Sequence, residues 1–314
     1  MTLSARQRSR AVGGMRIAVM GHTRDRHVRS LLRSLRGLGA QAAFVELSAC
    51  VFSTRHPSGL VIPGFGADLP EGVIVRAIAA GSFEAVTRRL GVLHALRELD
   101  VLVWNDARAI EHCVDKSMTS FLVARAGLVT PDTWAVEGRE AALLIARRET
   151  MRAPLVLKPL FGSQGRGLRL VRSPSELTQE DPVGGVYYLQ RYVGQTGGEH
   201  SDIRALVSGG RVVAAMRRRA IHWVTNIKRG GQPQAIQLPA DLAELAIAAA
   251  AAVGADFAGV DILIGNDGHA YILEVNSMPA WRGLQSVSNE DIATTIAADF
   301  LAALRGAARS RLAG

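Results

Sequence analysis

The sequence predicts an α/β (α+β) fold, and three stretches of its 314 residues carry this prediction. Met15–Met20 is a short apolar run with the length of a strand. It is followed by apolar residues at helical spacing over Val28–Leu38 and by a second strand-like run over Gln41–Leu47. A β-α-β succession of this kind implies a parallel sheet with a right-handed crossover. Ala258–Gln285, in contrast, contains two apolar runs around a tight turn, which predicts an antiparallel hairpin.

The composition is that of a globular protein, with 48% of the residues hydrophobic and 21% charged. The longest apolar helical run, Leu245–Val253, is too short to span a bilayer. The N-terminus is rich in arginine but lacks the apolar core of a signal peptide. Two cysteines, Cys50 and Cys113, in a chain of this size indicate free thiols in a reducing compartment, so we expect a cytoplasmic protein.

The net charge of +9 is concentrated at the two ends of the chain. Residues 1–14 and 305–314 carry three arginines each and no acidic residue, and without these six arginines the body carries +3. Basic ends are commonly solvated, so the charge does not by itself favour nucleic-acid binding. We expect residues 1–14 to be a disordered basic tail and residues 306–314 to be a second basic tail.

Residues 15–105 form the predicted N-terminal α/β domain. After the β-α-β unit, Val73–Arg76 and Val101–Trp104 are further strands, with a helix over Ser82–Arg97 between them. The first loop, Gly21–Asp25, lacks the glycine-rich fingerprint with which dinucleotide-binding folds hold a pyrophosphate. We therefore expect no cofactor at this loop.

A glycine-rich loop lies between two predicted strands in the next part of the chain. Asn105–Cys113 is interpreted as a link, and Asp115 as the N-cap of a helix that runs to Ala126. Lys158 ends a strand, and Pro159–Gly167 follows it and leads into another strand. Glycines placed between strands let backbone amides close over phosphates as a flap, and Lys158 could reach the same phosphates. The alternative is a flexible hairpin with an incidental lysine.

The hairpin near the C-terminus brings acidic side chains together. Asp267-Gly268 is a strong signal for a two-residue type I′ turn. Counting back from such a turn sets Asp261 opposite Glu274, and alternation puts Asn276 on the same face as Glu274. Two carboxylates and an amide oxygen suit Mg²⁺, whose octahedron phosphates would complete. The alternative is a polar-faced surface hairpin with acidic residues scattered by chance.

The order of the motifs is more specific than any one of them. The motifs are DKSMTSFLVARAGLVTP, LVLKPLFGSQGRGL, LQRYV, SDIRALV, VVAAMRRRA, TNIKRGG, AGVDILI and LEVNSMP. In this succession they resemble the ATP-grasp ligases, in particular the RimK branch, whose members attach glutamate to a carboxylate acceptor. The resemblance covers about residues 15–304 and is weakest over the first hundred. It implies an ATP-grasp fold in which two α+β subdomains sandwich ATP, a central one over 106–188 with the phosphate flap and a C-terminal one over 189–305 with the metal site.

The resemblance also implies roles for individual residues. The positions that match ATP-binding residues are Lys116, Lys158, Gly162, Ser163, Gln164, Gly165, Gly167, Gln190, Arg191, Tyr192, Val193 and Asp202. The positions that match magnesium ligands are Asp261, Glu274 and Asn276, and those that surround the transferred phosphate are Arg204, Arg218 and Asn226. Residues 190–193 match the hinge whose backbone atoms bind adenine. The branch has glutamate where this chain has Arg191, which puts a side-chain contact there in doubt. For each arginine of the set, a solvated face or a sheet ion pair is the alternative.

The activity implied by the resemblance is that of a carboxylate–amine ligase dependent on ATP and Mg²⁺, with Mn²⁺ as an alternative metal. Transfer of the γ-phosphoryl group of ATP to the acceptor carboxylate makes an acylphosphate, which the amine of L-glutamate then attacks. Such a reaction needs positioning and charge neutralisation rather than a protein nucleophile.

The acceptor cannot be read from the motifs. Trp223 and Trp281 could stack on a heterocycle such as a reduced, tetrahydromethanopterin-like pterin, or they could simply pack. A protein C-terminus is the alternative acceptor, and a non-catalytic ATP-binding regulator is an alternative function. The expected partners are ATP, L-glutamate and a small-molecule or peptide carboxylate, in a homo-oligomer that binds neither membrane nor nucleic acid.

Overall fold

The computed structural model describes residues 14–162, 165–177, 183–194 and 198–313. The chain divides into two compact units, one with the described residues up to Arg108 and from Glu290 onward, the other with Ala109–Asn289. Ser163 and Gln164, and the predicted N-terminal tail apart from Gly14, lie outside the described residues. In the part of the chain that is described, no helix is long and apolar enough to cross a membrane.

The first unit contains the predicted parallel sheet. Its strands, in the order β2-β1-β5-β6, are β1 (Arg16–Gly21), β2 (Gln41–Glu46), β5 (Gly72–Val75) and β6 (Leu102–Trp104), beside a small antiparallel ladder of β3 (Val51–Phe52) and β4 (Leu60–Val61). Helix α1 (Arg26–Gly37) begins after Asp25, whose carboxylate accepts a hydrogen bond from the Val28 amide at 2.9 Å. Helix α2 (Phe83–Glu98) is capped by Ser82 in the same way. The predicted β-α-β opening is therefore present.

The last helix completes this first unit, which differs from the sequence prediction. We assigned a closing helix to the C-terminal subdomain and a basic tail to residues 306–314, but α8 is one helix over Ile292–Ala313. Phe300 of α8 meets Trp104 edge-to-face at 5.7 Å, and a Cβ at Gly72 would lie 2.7 Å from the Phe300 ring. Ile292, Ile296 and Phe300, four residues apart, are buried. The apolar face of this helix thus belongs to the core under the parallel sheet, a partner that the sequence pattern could not name.

The second unit has a four-stranded antiparallel sheet in the order β7-β10-β8-β9. Its strands are β7 (Thr133–Glu137), β8 (Leu155–Lys158), β9 (Arg169–Val171) and β10 (Val186–Arg191). Helix α5 (Arg139–Glu149) covers one face, where Ala142 and Ala146 pack among apolar residues of the sheet. The predicted subdomain boundary at 188/189 falls inside β10, which pairs with β8 as far as Arg191.

The second sheet of this unit is five-stranded and antiparallel, in the order β13-β12-β11-β14-β15. Its strands are β11 (His200–Ser208), β12 (Arg211–Ala220), β13 (Gln232–Ala235), β14 (Phe257–Ile264) and β15 (Ala270–Asn276). The alanine-rich helix α6 (Ala240–Ala252) packs on it with buried Ala246, Ala249 and Ala250. Small side chains allow the close approach of helix and sheet that this core shows.

Three further helices complete the set. They are α3 (Ala107–Val114), α4 (Lys116–Arg125) and the short α7 (Arg282–Gln285). The interpretation of Asn105–Cys113 as a link was wrong, because Ala107, Ile110 and Cys113 form a buried helical face. Asp115 is the N-cap of α4 as predicted, and its carboxylate accepts hydrogen bonds from the amides of Ser117 and Met118.

Candidate active site

A pocket in the second unit is lined by most of the residues that the sequence singled out. Its walls are the end of β8, the described part of the glycine-rich loop, the segment after β10, the start of β11, the loop after β12, and strands β14 and β15. The predicted site residues on its wall are Lys116, Lys158, Gly162, Gly165, Gln190, Arg191, Tyr192, Val193, Asp202, Arg218, Asn226, Asp261 and Glu274. The other described site residues do not line the pocket, although each is within two residues of one that does; they are Gly167, Arg204 and Asn276.

Two lysines supply positive charge to the pocket. Lys116, at the first turn of α4, donates hydrogen bonds to the carbonyls of Leu160 (3.2 Å) and Gly162 (2.9 Å) in the glycine-rich loop. Lys158, the last residue of β8, donates to the Gln190 amide oxygen at 2.6 Å. Burial lowers the pKa of Lys158 to about 8, although the negative charge of Glu274 acts in the opposite direction. Burial also lowers the pKa of Lys116, again opposed by Glu274. Both amines are therefore partly desolvated cations that act on the same carboxylate.

The hairpin pairs Asp261 with Glu274 as predicted, but by a different route. The turn is a three-residue loop over 266–268, since Ile264 pairs with Ala270 and the Gly265 amide donates to the His269 carbonyl. Of the loop residues, Gly268 has a positive φ, +79°. A bulge then shifts the register after Asp261, so Leu273 is the extra residue on β15. The bulge offsets the longer loop, and it leaves both Leu273 and Glu274 on the pocket wall.

The three predicted metal ligands differ in what they contact. Both oxygens of Asp261 accept from Arg204, through Nε and through Nη2 at 2.6 Å, and Arg218 Nη2 lies 3.0 Å from Oδ2. The Glu274 carboxylate, by contrast, makes no hydrogen bond or ion pair with any residue of the described ranges. The Asn276 amide donates to the Gly259 carbonyl at 3.5 Å, which leaves its oxygen free to face a cation. Hard oxygen donors of this kind fit a divalent cation.

The arginines of the site are paired, which was the alternative interpretation for them. Arg218 Nε donates to Asp202 at 2.7 Å, and its side chain is 3% exposed. Burial would raise the pKa of Asp261, but Arg204 and Arg218 hold it below its usual value. Burial acts to lower the pKa of Arg218, but the Asp261 and Asp202 carboxylates raise it above its usual value. Asp202, predicted near the ribose, is thus a counter-ion of Arg218, and the sequence offered no sign of these pairs beyond opposite charges on neighbouring strands.

The hinge residue Arg191 has its side chain in an ion-pair cluster. Its guanidinium donates to Asp132 at 3.0 Å and to the buried Glu149 at 2.5 Å, and it lies over the Trp134 ring at 5.6 Å. Arg148 also donates to Glu149, and the two arginines hold the pKa of that carboxyl below its usual value. The doubt about a side-chain contact from Arg191 is therefore justified, because its charge is already neutralised.

The glycine-rich loop rests against the loop after β12. Gly165 has a φ of +71°, and a Cβ there would lie 2.6 Å from the Asn226 amide oxygen and 2.7 Å from Val224. Arg229 Nη2 donates to the Gly165 carbonyl at 3.2 Å. The loop after β12 also carries Trp223, which lines the pocket and meets Tyr192 edge-to-face at 6.0 Å. The sequence placed Asn226 and Arg229 on one polar loop but gave no sign that it would meet the flap.

Two buried polar residues beside the site, Ser120 and Tyr188, and the half-buried Thr133 were not predicted from the sequence. Ser120, Thr133 and Tyr188 form hydrogen bonds that lead to Gln190. A signal was present in β10, where Tyr188 and Gln190 alternate with Tyr187 and Leu189. Trp281, in contrast, is 4% exposed and does not line this pocket, which favours the packing interpretation for this side chain.

Comparisons with known proteins identify the family of this chain. The family model of the RimK-like ATP-grasp domain matches residues 113–300. A tetrahydromethanopterin:alpha-L-glutamate ligase of Methanococcus maripaludis is 37% identical over 202 residues, covering 62% of this chain and 68% of its own length. A second ligase with this name, from Methanosarcina acetivorans, is 34% identical over 68% of this chain and 74% of its own. A probable alpha-L-glutamate ligase of Alkalilimnicola ehrlichii is 31% identical over 85% of this chain and 89% of its own.

Solved structures show the same fold at lower identity. The ATP-grasp ligase PsnB, complexed with minimal precursor, Mg and ADP, superposes with a TM-score of 0.71 at 22% identity, over 92% of this chain and 97% of its own. A RimK domain ATP-grasp protein from Sphaerobacter thermophilus gives 0.68 at 20% identity, over 91% and 99%. The fold is that of the ATP-grasp carboxylate–amine ligases. From its motifs, its pocket and these relatives, the chain belongs to the RimK-like ATP-grasp family.

Proposed function

We propose that this enzyme uses ATP and Mg²⁺ to join L-glutamate to an acceptor carboxylate through an acylphosphate. ATP-grasp enzymes use ATP and divalent metal ions. The observation that carries the proposal is the pairing of opposite charges across one pocket. Lys116 and Lys158 supply cations, and Glu274, which makes no hydrogen bond or ion pair in the described residues, supplies an anion whose charge acts on both lysines.

Bond formation follows from what amide synthesis requires. A carboxylate oxygen of the acceptor attacks the γ-phosphorus of ATP, and ADP leaves. The amine of L-glutamate then attacks the carbonyl carbon of the acylphosphate, loses a proton, and phosphate leaves. No protein nucleophile takes part, so the protein contributes position and charge. Lys116 and Lys158 would hold the phosphates, and Arg204, Arg218 and Asn226 would lie around the transferred group.

The metal site is proposed on the chemistry of its donors. Asp261, Glu274 and Asn276 would hold Mg²⁺, or Mn²⁺, which when bound neutralises charge on the phosphates. Glu274 and the Asn276 oxygen are open to a cation, whereas Asp261 would share its oxygens with Arg204 and Arg218. The described residues contain no group of three or more His, Cys, Asp or Glu side chains that could hold a metal ion, and the proposed set accordingly combines two carboxylates with the Asn276 amide.

Water must be kept from the acylphosphate, and the glycine-rich loop is placed to do this. Its carbonyls accept from Lys116 and Arg229 on two sides. Gly162 and Gly165 of this loop line the pocket, and we propose that closure of the loop over the phosphates would exclude the water that hydrolyses the intermediate. The adenine would lie against backbone atoms of residues 190–193.

The acceptor that we favour is a reduced pterin cofactor or its glutamyl tail. Two of the relatives carry tetrahydromethanopterin in their names, and Trp223 presents an aromatic ring on the pocket wall. A protein C-terminus is the second candidate acceptor, and a non-catalytic ATP-binding regulator is the second candidate function. We also expect a homo-oligomer.

The test is an incubation of the pure protein with ATP, Mg²⁺ and isotopically labelled L-glutamate. The candidate acceptors are a reduced pterin with a glutamyl tail and a peptide with a free C-terminal carboxylate. We expect ADP release that requires both glutamate and the pterin, with the label recovered in the pterin product. If only the peptide is labelled, the acceptor is a protein C-terminus and not a pterin. If ADP is released without any amino acid, the proposed ligase activity is wrong. Glu274→Ala should abolish turnover while leaving the fold intact.

A further inference from the structure

A chain of buried polar side chains leads from helix α4 to Lys158. Ser120 Oγ lies 2.7 Å from the Tyr188 hydroxyl, and Gln190 Nε2 donates to that hydroxyl at 3.2 Å. The other end of the Gln190 amide accepts from Lys158 Nζ at 2.6 Å. Tyr188 and Gln190 are 1% and 2% exposed, and Ser120 is buried as well. Buried polar groups are costly unless paired, so a continuous chain of this kind holds one arrangement.

The hydrogen bonds fix which way the Gln190 amide points. Its NH₂ group has two hydrogens, and they are directed to the Tyr188 hydroxyl and to Thr133 Oγ1, at 3.1 Å. A flipped amide would place NH₂ against the Lys158 ammonium and would turn a carbonyl oxygen towards the two hydroxyls. The Lys158 ammonium can only donate, so the amide oxygen must face it, and the two hydroxyls hold the NH₂ group on the opposite side. The Lys158 amine also lies over the Tyr188 ring at 5.9 Å, which adds a second contact from the same residue.

The chain reaches the second lysine through helix geometry. Ser120 is four residues after Lys116 on α4, so the two side chains share one face of the helix. The hydrogen bond of Ser120 to Tyr188 fixes this face against β10, the strand next to the one that carries Lys158. The same hydroxyl pair thus joins the helix that carries Lys116 to the sheet that carries Lys158.

We propose that the hydroxyls of Ser120 and Tyr188 are positioning groups that, through Gln190, hold Lys158 where it meets the phosphates of the nucleotide. The inference rests on the proposed function in that Lys158 binds phosphate. Ser120 and Tyr188 are both buried and neither lines the pocket, so we expect them to act through Gln190 rather than by direct contact with the nucleotide. The competing assignment is that Gln190 reads the adenine directly and that the two hydroxyls only stabilise the fold.

The experiment separates these assignments by using two probes, AMPPNP and inorganic tripolyphosphate. Tyr188→Phe removes one hydroxyl from the chain, and Tyr187→Phe is the matched control, because Tyr187 is buried in the core cluster on the other face of β10. We expect Tyr188→Phe to weaken the binding of both probes by roughly 3–10-fold, the effect of one lost hydrogen bond. Tyr187→Phe should leave both within about twofold.

Gln190→Met and a double variant complete the test. Gln190→Met should weaken both probes by about 10-fold, since it removes a hydrogen bond to a charged group. In a Lys158→Met background, Tyr188→Phe should have no further effect, because the two residues act in one chain. Equal effects of the two tyrosine variants, additive effects with Lys158→Met, or loss of AMPPNP binding alone in Gln190→Met would each overturn the proposal.

Folding and function are controlled separately. If Tyr188→Phe lowers the melting temperature strongly, Ser120→Ala is the smaller change at the same hydrogen bond and should reproduce the loss of tripolyphosphate binding. These readouts need no acceptor and no turnover. If the variants change probe binding as expected but the protein makes no glutamyl product, only the ligase assignment is refuted. If the protein makes the product but the variants leave probe binding unchanged, only the positioning role is refuted.

Discussion

Deprotonation of Lys158 at raised pH should increase the free energy of unfolding of the free protein and at the same time weaken its binding of phosphate. Burial lowers the pKa of this amine from 10.5 to about 8 in the folded protein. Below pH 8 the amine is charged in both states, and the folded state bears the full cost of the buried charge. Between pH 8 and 10.5 the folded amine is neutral while the unfolded one is still protonated, so the free energy of unfolding rises with pH.

The size of this effect follows from the two pKa values. Their difference corresponds to about 3 kcal/mol if the amine is fully desolvated, and to about 2 kcal/mol if partial contact with solvent is allowed for. Phosphate binding has the opposite dependence, because a neutral amine attracts no anion. The dissociation constant of tripolyphosphate should therefore increase as the pH passes about 8.

The assay is urea unfolding at a series of pH values without metal, on the wild type and on Lys158→Met. The difference between the two curves removes the tyrosines and cysteines that titrate in the same range. We expect this difference to change by about 2–3 kcal/mol between pH 8 and 10.5, in favour of the wild type as pH rises. Lys158→Arg, which stays charged, should bind tripolyphosphate with little dependence on pH. A flat difference curve, or wild-type binding that holds to pH 10, would refute the reasoning.

Two further predictions concern the flap and the tryptophans. Gly165→Ala should reduce turnover by about 10-fold or more, because the new Cβ would lie 2.6 Å from the Asn226 amide oxygen. The control is Gly210→Ala, since Gly210 also has a positive φ, +76°, but has open space around it; this variant should lose only about 1 kcal/mol of stability. Equal turnover in the two variants would contradict a role for the contact with Asn226. Trp281→Ala should lower the free energy of unfolding by about 3–5 kcal/mol as a core deletion. Trp223→Ala should instead raise a substrate KM with little loss of stability. If Trp223→Ala lowers the stability and Trp281→Ala raises the KM, the assignment of the two tryptophans is wrong.

The acidic hairpin has the predicted pairing but not the predicted turn. A two-residue turn at Asp267-Gly268 predicted Asp261 opposite Glu274, and the structure pairs them. The actual loop is longer by one residue, and a bulge at Leu273 restores the register. Alternation along a strand is a local rule, whereas a bulge depends on how the strand fits its neighbours. The sequence could therefore predict the pair but not the bulge that brings Leu273 to the pocket.

The arginines mark a second limit. The resemblance placed Arg204 and Arg218 around the transferred phosphate, and the register of β11 with β12 and β14 brings both of them to Asp261. The sequence does not show whether opposite charges on strands that become neighbours in the sheet pair with each other or bind a ligand. For Arg191 the sequence analysis put a side-chain contact in doubt, and its guanidinium forms ion pairs with Asp132 and Glu149.

The sequence by itself determined the mixed α/β class, the parallel opening, the two lysines, the flap and the acidic hairpin. These depend on local periodicity, on turn residues and on the order of short motifs. Only the tertiary structure decided that α8 belongs with the N-terminal sheet, that Asp261 is shared with two arginines, and that Ser120 and Tyr188 lead to Lys158. Each of these is a contact between residues far apart in the chain, and its free energy depends on burial and geometry that no local pattern records.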